Sequence, residues 1–173
     1  MNLIIGNILV LISSLIMVSI GLIKNKKKIL ITQNIQIMIY TFSNVFLGGY
    51  TGIILNIVNI FRNYLCYKGQ LKLQYKIIIS IISISLSLLF NNLGIFGLLP
   101  LLGSTLYLWF MNVTNIIKFK QLIIFTISTW LIYNIIIQSY TSVLFNIITI
   151  ITNFLSIIKI KKFNTKKISK LDN

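Results

Sequence analysis

Residues 3–28 read LIIGNILVLISSLIMVSIGLIKNKKK, an apolar stretch of 21 residues followed at once by four lysines. A helix needs about 20 mostly apolar residues to cross the hydrocarbon core of a bilayer. Loops that stay in the cytoplasm retain Lys and Arg, whereas translocated loops lack them. The stretch therefore predicts a membrane-spanning helix, Leu3–Ile23, that ends at the cytoplasm. Because its basic residues follow the apolar part, we expect an anchor and not a cleavable signal peptide.

The same alternation continues along the chain. All sixteen Lys and Arg residues fall into four clusters, and each gap between clusters has about the length of two crossings and a turn. The clusters are Lys24–Lys28, Arg62–Lys76, Lys118–Lys120 and Lys159–Lys170. All four clusters lie on one face of the membrane if one helix precedes the first cluster and two helices separate each cluster from the next, which makes an odd total of seven crossings. We therefore expect the N-terminus outside and the C-terminus in the cytoplasm.

The apolar segments predict an all-α membrane protein with seven transmembrane helices. The expected spans are Leu3–Ile23, Ile29–Leu47, Tyr50–Cys66, Ile77–Phe90, Ile95–Ile117, Leu122–Ile137 and Tyr140–Ile158.

Composition excludes several classes of function. The chain is 57% hydrophobic with a net charge of +15, but this charge lies in short loops, so nucleic-acid binding is not expected. It has no His and one acidic residue, Asp172, so it lacks the groups for general acid–base catalysis. Cys66 is the single cysteine and cannot form a metal cluster. We expect no enzyme, no metal and no cofactor.

An internal repeat appears when the chain is shifted by 90 residues. Over residues 44–65 eight of 22 positions are identical to residues 134–155. The repeat covers spans one to three and five to seven, so span four is a linker that makes the two three-helix units parallel. The predicted parts are a first unit at 1–67, a basic loop plus linker helix at 68–93, a second unit at 94–158 and a basic tail at 159–173.

Three stretches carry a resemblance to a known family. They are Leu47–Tyr50 continuing to Arg62, Leu98–Thr105, and Trp130–Asn134. In these stretches the chain resembles the YgjV-like bacterial inner-membrane protein family, and its 3+1+3 plan resembles the SWEET / PQ-loop transporters and the PnuC vitamin-uptake family. The resemblance implies a bacterial inner-membrane location and this architecture.

The SWEET-like resemblance also implies a solute site and a hinge. It implies that Asn56 and Asn146, one on each third helix, bind the solute, with Tyr40 and Trp130 beside them. An aromatic face and an amide suit a sugar or nucleoside. The alternative is that these asparagines join helices. Pro100 is expected to kink its helix and to serve as a hinge, although no Pro-Gln pair is present.

Other polar residues have simpler expected roles. Asn44, Asn134, Tyr50 and Tyr140 are expected in turns and at the outer interface. Arg62, Asn63 and Asn153 are expected at helix ends near the cytoplasm, with Arg62 snorkelling to the surface.

The leading functional expectation is facilitated passage of a small neutral polar solute, since no membrane carboxylate or His could carry a coupling proton. The alternatives are a non-transporting scaffold or partner subunit, and a PnuC-like transporter of a vitamin precursor. The expected partners are the lipid bilayer and anionic lipid at the basic loops and tail. The sequence leaves the oligomeric state open.

Overall fold

The computed structural model describes residues 2–47, 50–91, 94–136 and 140–169. These residues form seven α-helices and one short 3-10 helix, which confirms the all-α prediction. The elements are α1 (Asn2–Ile20), α2 (Lys26–Leu47), α3 (Tyr50–Tyr67), α4 (Leu73–Phe90), the 3-10 helix (Gly94–Leu98), α5 (Leu99–Phe110), α6 (Ile116–Ile136) and α7 (Tyr140–Ser169).

The helices pack in the order of the chain, and the first meets the last. Each of α1 to α6 contacts the helix that follows it, and α1 also packs against α7. Within the two proposed units, the middle helices α2 and α6 carry the most extensive contacts. The helices therefore form a closed ring, in which the contact between α1 and α7 completes the wall.

The ends of α1, α3 and α5 and the beginnings of α2, α4 and α6 lie together, at what we call the basic face. Lys26 at the start of α2 donates to the carbonyl of Val113 after α5 (2.8 Å). Lys76 at the start of α4 donates to the carbonyl of Trp109 near the end of α5 (2.7 Å). Cations are favourable at helix C-termini, where carbonyls lack intrahelical partners. The lysines of this face thus join helix ends.

The best-packed apolar cluster lies just inside the basic face. Ile29, Leu30, Met111 and Phe119 are almost fully buried there. The ring of Phe119 packs on that of Tyr107, with 5.8 Å between centroids. This cluster closes the basic end of the helix ring.

Most of the outer surface is apolar, as a lipid-facing surface must be. By length and composition α4, α6 and residues 140–163 of α7 could each cross a membrane, and residues 4–20 and 94–110 form shorter apolar helices. On α4 the buried side chains include Ser80, Ser83 and Ser87, while Leu88 and Leu89 are exposed. Small residues permit close helix packing in membranes, so α4 lies against its neighbours through a serine stripe.

The fifth and sixth spans differ from their predicted bounds. The α-helix of the fifth ends at Phe110, and α6 already begins at Ile116. Asn115 fixes the start of α6, because its side chain accepts hydrogen bonds from the backbone N–H groups of Ile117 and Lys118, as an N-cap does. Apolar composition alone had extended the fifth span across this turn.

Pro100 lies in the first turn of α5, directly after the 3-10 helix. A proline there removes no helical hydrogen bond, because the first N–H groups of a helix have no partner within it. The predicted kink at Pro100 and its hinge role both stay predictions.

α7 continues to Ser169, so the described part of the basic tail is helical and not a separate loop. Lysines at a helix C-terminus interact favourably with its dipole. The side chains of Asn44 and Tyr50, the turns at residues 48–49 and 92–93, and residues 170–173 with Asp172 lie outside the described part.

Candidate functional site

A cavity of about 150 Å³ lies between the helices. Six helices line it, and α4 contributes no lining residue among those described. A water molecule takes up about 30 Å³ in the liquid, so the cavity has room for roughly five waters or one small solute. Pockets for drug-sized ligands are larger, about 300–1,000 Å³.

The four residues predicted to bind a solute all line this cavity. Tyr40 projects from α2, Asn56 from α3, Trp130 from α6 and Asn146 from α7. The two asparagines are each 5% exposed. The structure therefore brings the four residues together from both halves of the chain, and their role in binding stays a prediction.

The lining residues recur at the spacing of the sequence repeat. Sixteen of the 21 form eight pairs separated by 90 positions, so corresponding helices turn the same faces inward. The mates of two further lining residues, Asn134 and Ser142, are Asn44 and Gly52, whose surroundings lie outside the described part. The pairs are Ser14/Ser104, Met17/Tyr107, Gln33/Ile123, Gln36/Thr126, Ile37/Ile127, Tyr40/Trp130, Asn56/Asn146 and Asn59/Thr149.

The cavity is elongated along the helix axes. Its lining on α6 runs from Ile123 to Asn134, which lie eleven positions or about 16 Å apart at 1.5 Å per residue. At the basic end it reaches Tyr107 and Arg62, below which the apolar cluster is packed. At the opposite end it reaches Asn134 and Ser142, close to the junction of α6 and α7.

Several hydrogen bonds across the cavity wall join the two halves of the chain. The hydroxyl of Tyr107 on α5 donates to Gln33 Oε1 on α2 (2.8 Å). At the other end, the side chains of Tyr40 on α2 and Ser142 on α7 are hydrogen-bonded. These bonds lie near both ends of the cavity and hold the helices around it.

Arg62 lies in the cavity wall and not at the surface. Its side chain is 6% exposed, and its guanidinium lies over the ring of Tyr107, 4.7 Å from the centroid. The expectation that Arg62 snorkels outward is wrong, because α3 is oriented so that this residue points toward the centre of the helix bundle. Asn63 and Asn153 are also fully buried. Asn63 lies four residues before the end of α3, as expected, whereas α7 continues for 16 residues beyond Asn153.

Other lining residues were missed by sequence reasoning. Asn134, expected in a turn, is buried and lines the cavity. On α2 a signal was present, because Gln33, Gln36 and Tyr40 are spaced three and four residues apart and so share one helix face. A polar face on an otherwise apolar membrane helix indicates that this face lines a polar cavity inside the protein.

The lining is suited to hydrogen bonding with a small polar molecule. It offers amides, hydroxyls, three aromatic side chains and one guanidinium. The Nδ2 groups of Asn56 and Asn146 are buried without a hydrogen-bond partner among the described residues. Buried polar groups are normally paired, so these two donors would be satisfied by water or by a bound solute.

Comparison with known protein families identifies one that matches most of the chain. Residues 4–164 match the family model Imp-YgjV, whose description is "bacterial inner membrane protein". Comparison with curated proteins and with solved structures gives no match.

Proposed function

Since the chain belongs to the Imp-YgjV family of bacterial inner membrane proteins, we propose that it is a facilitator for a small polar solute. The solute would pass along the interface of two parallel three-helix units. The observation that carries this proposal is the polar cavity whose lining residues pair at the 90-residue repeat. Secondary transporters commonly hold their substrate near the midplane, between two such repeats.

The paired lining supports the two-unit plan. If helices α1–α3 and α5–α7 were unrelated, their inward faces would have no reason to coincide at one fixed spacing. A parallel repeat with α4 as linker explains why α4 stays out of the lining. In this plan the approximate symmetry axis would run along the membrane normal and through the cavity, and the basic face would lie in the cytoplasm.

The size of the cavity bears on the solute. From the sequence we expected a neutral sugar or nucleoside. A volume of about 150 Å³ favours a molecule of monosaccharide size or smaller over a nucleoside. The packed cluster at the basic face would have to open before the solute could leave on that side. Passage would thus alternate between two closures, driven by the solute gradient and without an enzymatic step.

The test is tracer uptake into proteoliposomes with glycerol, ribose, glucose, uridine and glycerate. We expect faster entry than into protein-free liposomes for at least one of these solutes. The variant Asn146→Leu, similar in size but unable to form hydrogen bonds, should lower that rate at least about tenfold, because one unpaired donor of the site is lost. Asn56→Leu should act in the same direction.

The matched control is Ser85→Leu, an exposed residue on α4 that does not line the cavity. This change should leave uptake unchanged. If no solute enters faster, or if Asn146→Leu and Asn56→Leu transport like the unmodified protein, the facilitator proposal falls. A non-transporting scaffold or partner subunit would then be the better description. A PnuC-like role would show as uptake of a vitamin precursor that needs a soluble kinase to retain it.

A further inference from the structure

Arg62 places a full positive charge in the wall of the cavity. Its Nε and Nη2 donate to Asn63 Oδ1 (3.2 and 3.1 Å), and its Nη1 donates to the carbonyl of Ser104 (3.4 Å). A guanidinium has five N–H donors, so these bonds engage three of them. The remaining donors belong to a group that lines the cavity.

No carboxylate of the described residues can balance this charge, because the single acidic residue of the sequence is Asp172. A buried charge is costly unless it is paired. Neutral partners such as Asn63, Ser104 and the Tyr107 ring lower the cost but leave the net charge in place. The cavity therefore carries an uncompensated positive charge.

The other buried cations have a different environment. Lys120 donates to the carbonyls of Ile20 and Gly21 at the end of α1, and Lys76 donates to Trp109 near the end of α5. Each meets the negative end of a helix dipole. Arg62 instead reaches Ser104 in the middle of α5 and has no helix end to complement it. Neither lysine lines the cavity.

Two further polar side chains line the same space. The Nδ2 groups of Asn56 and Asn146 lack partners among the described residues, and both side chains line the cavity. Arg62 lies six residues after Asn56 on α3, about 9 Å along the helix. The cavity thus combines a cation at its basic end with amides near its middle.

We propose that the solute is a small hydroxylated carboxylate, whose carboxylate group pairs with Arg62 and whose hydroxyl groups bond Asn56 and Asn146. A planar guanidinium matches a carboxylate in two parallel hydrogen bonds. The rings of Tyr40 and Trp130 would cover the apolar faces of the solute. This inference rests on the proposed function in taking the cavity as the solute site, and it replaces the neutral solute by an anionic one.

The test compares matched solutes that differ in charge. Binding of glycerate and glycerol, and of glucuronate and glucose, is measured by titration calorimetry on the full-length protein in neutral detergent at constant ionic strength. We expect each carboxylate to bind at least about tenfold more tightly than its neutral mate, as for hydrogen bonds to a charged group. Arg62→Gln should remove this preference, and Arg62→Lys should retain part of it.

The control variant Lys72→Gln removes an exposed lysine of the basic face and should keep the preference. Equal or tighter binding of the neutral mates by the unmodified protein would overturn the proposal, even if Arg62→Gln failed to fold. So would displacement of glycerate by chloride or phosphate at equal concentration, since that indicates a site for inorganic anions. Binding of carboxylates without uptake would refute the proposed facilitator function and support the anion site. Uptake of neutral solutes without carboxylate binding would support the facilitator function and refute the anion site.

Discussion

Replacing Lys120 with alanine should lower the free energy of unfolding by about 3 kcal/mol. Lys120 is fully buried, and its Nζ donates to the Gly21 carbonyl (2.9 Å), the Ile20 carbonyl (3.4 Å) and Asn153 Oδ1 (3.5 Å). Alanine leaves these acceptors buried without their donor and removes three side-chain carbons and the ammonium from a packed site. The measurement is equilibrium unfolding in mixed micelles, followed by circular dichroism.

The control for this prediction is Lys118→Ala, two residues earlier on α6. The side chain of Lys118 is exposed, so the change should stay within about 0.5 kcal/mol. If both variants unfold alike, Lys120 does not act as a cap on α1. The same reasoning predicts that Lys120→Arg is also destabilising, because the larger planar head does not fit the space of an ammonium.

Replacing Gly21 with valine should separate α1 from α7 and abolish uptake. A Cβ at Gly21 would lie 2.6 Å from Thr152 Cβ and 3.0 Å from its carbonyl carbon. Neither atom is the end of a flexible side chain, so the helices themselves must move. Overpacking of this kind costs about 1–3 kcal/mol, and here it opens the contact that closes the helix ring. Tracer uptake and equilibrium unfolding measure the two effects.

A second change separates this cause from a general loss of stability. Thr152→Ala keeps the Cβ and the backbone carbonyl, so it should not restore function to Gly21→Val. Ser19→Val introduces a β-branched residue at an exposed position of α1 and should leave uptake intact. Full rescue by Thr152→Ala would mean that the hydroxyl alone makes the close contact, and it would contradict the predicted helix separation.

The positions of some residues were predicted correctly from the sequence, and those of others were not. The resemblance to SWEET-like proteins predicted that Asn56 and Asn146 share one site, and both residues line the cavity. Arg62 was misplaced because a basic residue near a predicted helix end normally reaches for water. Its inward direction depends on how far α3 is rotated about its own axis, which its apolar flanks do not reveal.

Pro100 and Lys120 illustrate the same limit. Pro100 lies inside an apolar run, and nothing in that run indicates that the α-helix begins only at Leu99. Lys120 belongs to a basic cluster between two apolar segments, which predicts an exposed position in a loop. It is buried because folding brings it to the open end of α1, 100 residues earlier in the chain.

The sequence by itself determined the helical class and the membrane environment, because hydropathy and charge act on each segment separately through its transfer between water and lipid. The tertiary structure alone decided which side chains face the centre. It put Arg62 and Asn134 into the cavity wall and Lys120 under the end of α1. The rotation of each helix is set by close packing against its neighbours, which is a property of the assembled ring and not of any one segment.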